Sequence, residues 1–452
     1  MKYTKVFNST RFQTRSPNGF SVEPRDKQLF VGIRSEDRRR TAMIGKVLEQ
    51  GKSSNLLDHN VFCDVSFPHV VGIFGSRGSG KSFDLGVFLE GIFLNEELTR
   101  NADTRDAAIV FDVQDQFWTL RYEPKADIDA DQGQMSELRR WGLVPAAVSG
   151  VRVFVPAGSD TQVPHAEQFS LAPGQLNLGD WLAILDLERF SAMGQALLTL
   201  LGIDGPKPPA ELAVRCIPNG PLSSFQQATL DALRWRLESL ANTSVIASQG
   251  VSVDELLIPG RLSVILMRNL PEAVRGLVVG VISRLVADRM GRIQQARKVA
   301  MRTSQVQVDR DGELTNRLWL VLDEAHVLVP SDGYTAATEP LIDYVKRGRD
   351  AGLSLVFATQ QPSAVNSKLM SQVDLTITHM LGFDADLTAA TARMPTRTTV
   401  DYDVDNQKAA SLTDVIRSLG PGEAIIADGS SSRAFVAKIR PRVSAHGGAT
   451  PK

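Results

Sequence analysis

The stretch His69-Val70-Val71-Gly72-Ile73-Phe74-Gly75-Ser76-Arg77-Gly78-Ser79-Gly80-Lys81-Ser82-Phe83 decides the fold. Its apolar first part, His69 to Phe74, reads as a buried strand, and it passes directly into G-x-x-x-x-G-K-S and then a helical pattern, Phe83 to Leu98. This order of strand, glycine loop and helix gives each position a task. Glycines let successive backbone N–H groups curve around a phosphate, and the helix N-terminus adds the positive end of its dipole. Lys81 is placed to reach β- and γ-phosphates and the Ser82 hydroxyl to ligate Mg²⁺. The nucleotide-binding stretch is therefore Gly75, Ser76, Arg77, Gly78, Ser79, Gly80, Lys81, Ser82 and Phe83. A dinucleotide loop is excluded, because no third glycine follows Gly78-x-Gly80 at the required spacing.

Outward from this stretch, further apolar runs alternate with helical patterns: Ala107–Phe111, Val151–Val155, Leu262–Met267, Leu318–Leu322, Leu353–Phe357 and Leu375–Thr378. Continuous apolar runs separated by helices are what a parallel sheet covered on both faces requires, so the expected class is α/β. Val274, Leu277, Val278, Val281, Ile282, Leu285 and Val286 recur at helical spacing and predict a helix packed on the sheet after the Leu262 run. About a hundred residues, 157–258, lack strand pattern and read as a helical insertion, with Trp181–Leu187 and Ser223–Leu240 helical and Ser223 an N-cap. Residues 1–66 are polar and broken by Pro and Gly, with one strand-like run, Leu29–Ile33; they form an N-terminal extension. The ATPase-type domain is expected over 67–443, and 444–452 as a loose tail.

With 452 residues, 43% apolar, the chain can bury a large core, and a net charge of -1 excludes bulk polyanion binding. Cys63 and Cys216, far apart and in no metal-like spacing, fit a reducing compartment and exclude a disulfide framework. No apolar run approaches the ~18 residues of a membrane span and Met1–Ser21 lacks a secretion signal, so the expected location is the cytoplasm.

The run Leu318–Leu322 ends in Asp323-Glu324-Ala325-His326. Two acids at the C-terminal end of a buried strand stand where α/β sheets bind ligands. Asp323 is expected to hold the magnesium shell and Glu324 to act as general base toward water. The next strand ends in Ala358-Thr359-Gln360-Gln361-Pro362, which aims Gln360 toward the γ-phosphate. Just before that strand stand Lys346, Arg347 and Arg349. Arg349 is the candidate for a guanidinium offered to a neighbouring subunit's phosphates, and Arg347 is equally a helix-end dipole partner. Asp112 and Asp115 are either further members of the same edge or ordinary solvated acids.

Together these motifs resemble the HerA/FtsK branch of P-loop motor ATPases, specifically HerA-like proteins. The resemblance covers about residues 68–440 and extends to Pro259-Gly260-Arg261-Leu262-Ser263-Val264-Ile265, Gly348-Arg349, Gly352-Leu353 and Gly422-Glu423. It implies a RecA-like core and a homohexameric ring with ATP and Mg²⁺ between subunits. It also implies translocation of double-stranded DNA, often beside a nuclease or other effector. It assigns Lys81, Ser82, Asp323 and Glu324 to ATP and magnesium, Gln360 to γ-phosphate sensing and Arg349 to a trans contact. Relatives commonly carry threonine at the position of Arg77, a second arginine at that of Gln361, and a β-barrel where this chain has room for a reduced one.

For DNA, the best basic patch is Arg284 to Arg302, with Arg292, Arg297, Lys298 and Arg302 as contact candidates repeated around a ring axis. The alternative is a solvated helix end. A rival reading is an ATP-gated oligomeric scaffold organising an effector in antiviral defence. An SF2 helicase lacks its other motifs here, and a secretion-type coupling ATPase lacks a membrane anchor.

Overall fold

The computed structural model describes residues 3–5, 21–23, 26–32, 40–51, 57–95, 105–303, 314–394, 402–404, 407–409, 411–431 and 433–447. All seven apolar runs are strands, and they lie in one sheet. Its strands are β1 (Ser21–Glu23), β2 (Gln28–Val31), β3 (Thr41–Val47), β4 (Asn60–Asp64), β5 (Val70–Phe74), β6 (Ala107–Asp112) and β7 (Val151–Pro156). They continue with β8 (Ala166–Phe169), β9 (Leu262–Leu266), β10 (Leu318–Leu322), β11 (Leu353–Thr359), β12 (Leu375–Thr378), β13 (Glu423–Asp428) and β14 (Arg433–Ile439). The spatial order is β8-β7-β9-β6-β10-β11-β5-β12-β13-β14-β3-β4-β2-β1. Every pair from β8 to β12 is parallel, whereas β12, β13, β14, β3 and β4 pair antiparallel in turn.

The parallel half explains its own composition. Successive side chains of β6 go to opposite faces: Ala107, Ile109 and Phe111 join one core, Ala108 and Val110 the other. Both faces are covered, so both sets must be apolar. One face receives α7 (Glu272–Thr303) and α8 (Thr338–Ala351); the other receives α1 (Lys81–Phe93) through Leu85, Phe88 and Leu89. The helix expected around Val274–Val286 is the first half of α7. The helix expected over Phe83–Leu98 starts at Lys81 and ends at Phe93, and residues 96–98 lie outside the described part.

A helix α2 (Gln132–Trp141) precedes β7, and between β7 and β9 the chain adds α3 (Leu178–Ile184), α4 (Ala192–Asp204), α5 (Pro209–Arg215) and α6 (Gln227–Ala241), after the short edge strand β8. Ser223 does not cap α6. It lies in a 3-10 turn, Gly220–Ser224, begun by Pro221, where its hydroxyl donates to Gly220 O at 2.7 Å. At the amino end, β2, β3 and β4 continue the main sheet through β14, so this segment shares the sheet of the domain that follows; Ile33 lies outside the described residues. Four short strands, Tyr3–Lys5, Glu49–Gly51, Tyr402–Val404 and Gln407–Ala409, form a second sheet. The expected loose tail differs from the structure at its start. Ser444 is fully buried, and residues 444–446 are bonded into the domain; 448–452 lie outside the described residues.

Asp106, buried just before β6, ties the N-terminal segment to the core. It accepts from Arg40 Nη2 at 2.9 Å, Arg317 Nε at 2.9 Å and Trp319 Nε1 at 3.0 Å. Removing one partner of such a cluster leaves buried charge without compensation, so Asp106→Ala should destabilise the fold by about 3–5 kcal/mol in chemical denaturation. A cost under about 1 kcal/mol would mean that water replaces the carboxylate.

Candidate nucleotide-binding site

Because the strands from β8 to β12 are parallel, their C-terminal ends share one edge. The glycine loop follows β5, the acid pair follows β10 and Gln360 follows β11, which lies between them. The loop is held from behind: Ser76 N donates to Met380 O at 2.8 Å, and Gly75 N to Thr359 O at 3.3 Å. Gly80, at φ 112°, makes the turn into α1 in a conformation that a side chain would strain.

The expected residues meet here. Lys81 is buried and its Nζ donates to Ser76 O at 3.0 Å; burial pushes its pKa down, and Glu324, Asp323 and Asp84 oppose the shift. Ser82 Oγ donates to Asp323 Oδ2 at 3.0 Å, and Asp323 Oδ1 accepts the Glu324 amide at 3.0 Å. Burial and the adjacent Glu324 carboxylate push Asp323 up to about 6, against the pull of Ser82 and Lys81. Glu324 adopts the left-handed region, φ 54°, which aims its side chain across the strand ends. Gln360 Nε2 donates to Glu324 Oε1; Glu324 Oε2, buried, has no hydrogen bond and lies 3.5 Å from His326 Nδ1. His326 Nδ1 is in turn 3.1 Å from Thr359 Oγ1.

The oxygen pair of Ser82 and Asp323 suits a hard, small cation that keeps waters and takes its remaining ligands from phosphate. Among the described residues no cluster of three or more His, Cys, Asp or Glu side chains is placed to hold a metal ion. The Ser79 hydroxyl, buried and without a partner, is an open polar group in the loop.

Other candidates fall elsewhere. Asp112 is fully buried and accepts Phe117 N at 2.8 Å and Gln114 N at 3.1 Å, so it holds a turn; burial pushes it up to about 7. Asp115 is half-buried near Arg268 and Arg275. Arg349 is exposed near the end of α8, and β11 starts just after it and ends beside Gln360. Seven strand residues at about 3.3 Å each put its backbone roughly 20 Å from its own site. Arg347 pairs with Asp288 at 2.7 Å. In the basic patch, Arg284 is tied to Asp180, Arg289 to Asp254, and Arg297 donates to Leu314 O at 3.0 Å. Arg292, Lys298 and Arg302 are exposed, at the sheet edge opposite the loop, with Lys298 3.8 Å from Asp350.

Sequence reading missed His379. Its Nε2 lies 2.7 Å from Asp84 Oδ2 and its Nδ1 2.9 Å from Glu423 O, which wedges the ring behind the loop and links α1 to β13. The partners are 295 and 44 residues away, so no local pattern marks them.

With Asp323 raised to about 6, protons compete with a divalent ion for it. Magnesium-dependent nucleotide affinity should fall as pH drops below about 6, approaching tenfold per unit, while metal-free nucleotide binding changes little. Titration with a fluorescent nucleotide from about pH 7.5 to about 5, with and without Mg²⁺, checks this; equal pH dependence in both series would contradict it.

Residues 309–450 match the family "Helicase HerA-like C-terminal". No curated protein sequence matches the chain. VirB4 of Thermoanaerobacter pseudethanolicus is similar in structure, with TM-score 0.53 and 15% identity over 88% of this chain and 96% of that one. The plasmid coupling protein TrwB is similar in its complex with a non-hydrolysable ATP analogue, ADPNP (TM-score 0.50, 14% identity, 100% of this chain and 96% of that one). Its complex with ADP and Mg²⁺ gives TM-score 0.50 and 13% identity over the same shares. No helix among the described residues is long and apolar enough to cross a membrane. The chain has the RecA-like P-loop NTPase fold, and it is HerA-like in the segment that carries Asp323, Glu324, Arg349 and Gln360.

Proposed function

We propose that this chain is an ATP-hydrolysing motor that assembles as a ring and moves double-stranded DNA beside a nuclease or other effector. The observation that carries it is the convergence of Lys81, Ser82, Asp323, Glu324 and Gln360 on one sheet edge, with exposed Arg349 at the opposite edge. Two unpaired, buried cysteines support a cytoplasmic setting.

In this reading the loop amides and Lys81 hold the phosphates, and Ser82 and Asp323 hold Mg²⁺, which supplies charge neutralisation and orientation when bound. Glu324 takes the proton of the attacking water. Gln360, bonded to Glu324 in the structure, is placed to exchange that bond for one to the γ-phosphate or water. Arg349 cannot reach the site of its own subunit, so a neighbouring copy is the partner its position suits. Arg292, Lys298 and Arg302 are the exposed members of the basic patch and the first candidates for phosphate contacts, with half-buried Arg297, which donates to Leu314 O, also a candidate.

Glu324→Gln should bind ATP and stop turnover, while Lys81→Ala should weaken binding itself; parental hydrolysis by Glu324→Gln would remove Glu324 from the base role. Duplex DNA should stimulate hydrolysis by the parent, and a flat response would favour the scaffold reading.

The trans role of Arg349 has its own check. Arg349→Ala alone should lose on the order of 10³ in rate, and mixing it with Glu324→Gln subunits should restore part of the activity. Absence of recovery after demonstrated subunit exchange would contradict the shared site.

A further inference from the structure

Helix α1 carries the glycine loop at one end and a buried carboxylate near the other. Glu90 accepts Arg440 Nη1 at 2.7 Å, Val443 N at 3.0 Å, Ser444 N at 2.9 Å and Ser444 Oγ at 2.6 Å. Arg440 also donates to Val87 O, at 3.2 Å, and to Met43 O, at 2.8 Å. Arg442 is fully buried and donates Nη2 to Ser444 Oγ at 3.0 Å and to Ala445 O at 2.9 Å. Its guanidinium occupies the space over Gly86, where a Cβ would meet Arg442 Nε at 2.6 Å. Buried charges hold together only when paired and bonded, so this cluster pins residues 440–444 along the helix.

From Glu90 the segment runs back toward the loop. Ala445 N donates to Tyr122 O at 2.8 Å, and the His446 ring meets Phe83 edge-on, with centroids 5.4 Å apart and planes at 78°. Arg442 Nη1 lies 3.1 Å from His446 Nδ1. Arginine only donates, so Nδ1 accepts and Nε2 carries the hydrogen. Burial and the Arg442 charge push His446 down to about 4, so the ring is neutral at neutral pH. Phe83 directly follows Ser82.

We propose that residues 440–447 are a positioning strap of the nucleotide site, in which the Glu90 cluster fixes the segment and His446 sets the Phe83 ring at the first turn of α1. The proposal rests on the reading of the glycine loop as a nucleotide site. Coupling is reciprocal, so nucleotide should tighten the strap by the same factor by which the strap favours nucleotide.

The test compares the full chain with His446→Ala and His446→Phe, using a fluorescent ATP analogue with Mg²⁺, steady-state hydrolysis, melting temperature and amide exchange. His446→Ala should weaken nucleotide binding by about threefold to tenfold and raise KM alike, with kcat within about twofold and the ligand-free melting temperature within about 2 °C. His446→Phe should keep most of the affinity. Nucleotide should slow exchange at Ser444 and Ala445 in the parent and not in His446→Ala. Parental affinity in His446→Ala, or equal losses in both variants, overturns the strap. If His446→Ala does not fold, Gln134→Ala, which removes bonds of 2.7 Å to Arg442 O and Ser444 O, should weaken binding in the same direction, and unchanged affinity overturns the proposal. Failure of the parent to bind nucleotide would instead overturn the site reading beneath it.

Discussion

Ser82 and Asp323 stand 241 residues apart in sequence, and the 3.0 Å hydrogen bond between them exists because parallel strands end at one edge. β11 separates β5 from β10, and its pairing on both sides sets how far Ser82, Gln360 and Asp323 project. A slip of one residue in either pairing would turn the strand's side chains to the opposite faces and draw Gln360 away from Glu324. The register is defended by burial: all seven residues of β11 are buried, so a slipped strand would place Ser354 and Thr359 against the wrong core.

The same edge concentrates charge in little space. Lys81 sits among Asp84, Asp323 and Glu324, and burial opposes the charged forms of Lys81 and Asp323. In the proposed reading, Lys81 would meet the phosphates and Asp323 a metal ion. In the proposed role of base, Glu324 is held at Oε1 by Gln360, while its buried Oε2, 3.5 Å from His326 Nδ1, makes no hydrogen bond. Behind the loop, His379 and the Glu90 cluster brace α1 at both ends, so the helix that presents Lys81 and Ser82 is fixed by charge as well as by packing.

The parallel strands were legible because burial on both faces demands unbroken apolar runs, and the loop and acid pair because their chemistry is local in sequence. β8 was not legible: four residues with a single buried side chain, Phe169, carry no run to detect. The stretch from Ser444 looked like a polar tail because the features that hold it are charges on residues 440, 442 and 90, whose pairing lies across the chain. Which basic residues of α7 are engaged was not legible for the same reason. Asp180 and Asp254, which neutralise Arg284 and Arg289, come from the insertion before β9.

The most direct measurement of the central claim is an electron cryomicroscopy structure of the Glu324→Gln protein with ATP, Mg²⁺ and duplex DNA. The account predicts phosphates enclosed by residues 75–82, the cation on Ser82 near Asp323, and Arg349 of an adjacent copy at the γ-phosphate. Nucleotide bound away from this edge, or a site complete within one subunit, would contradict it.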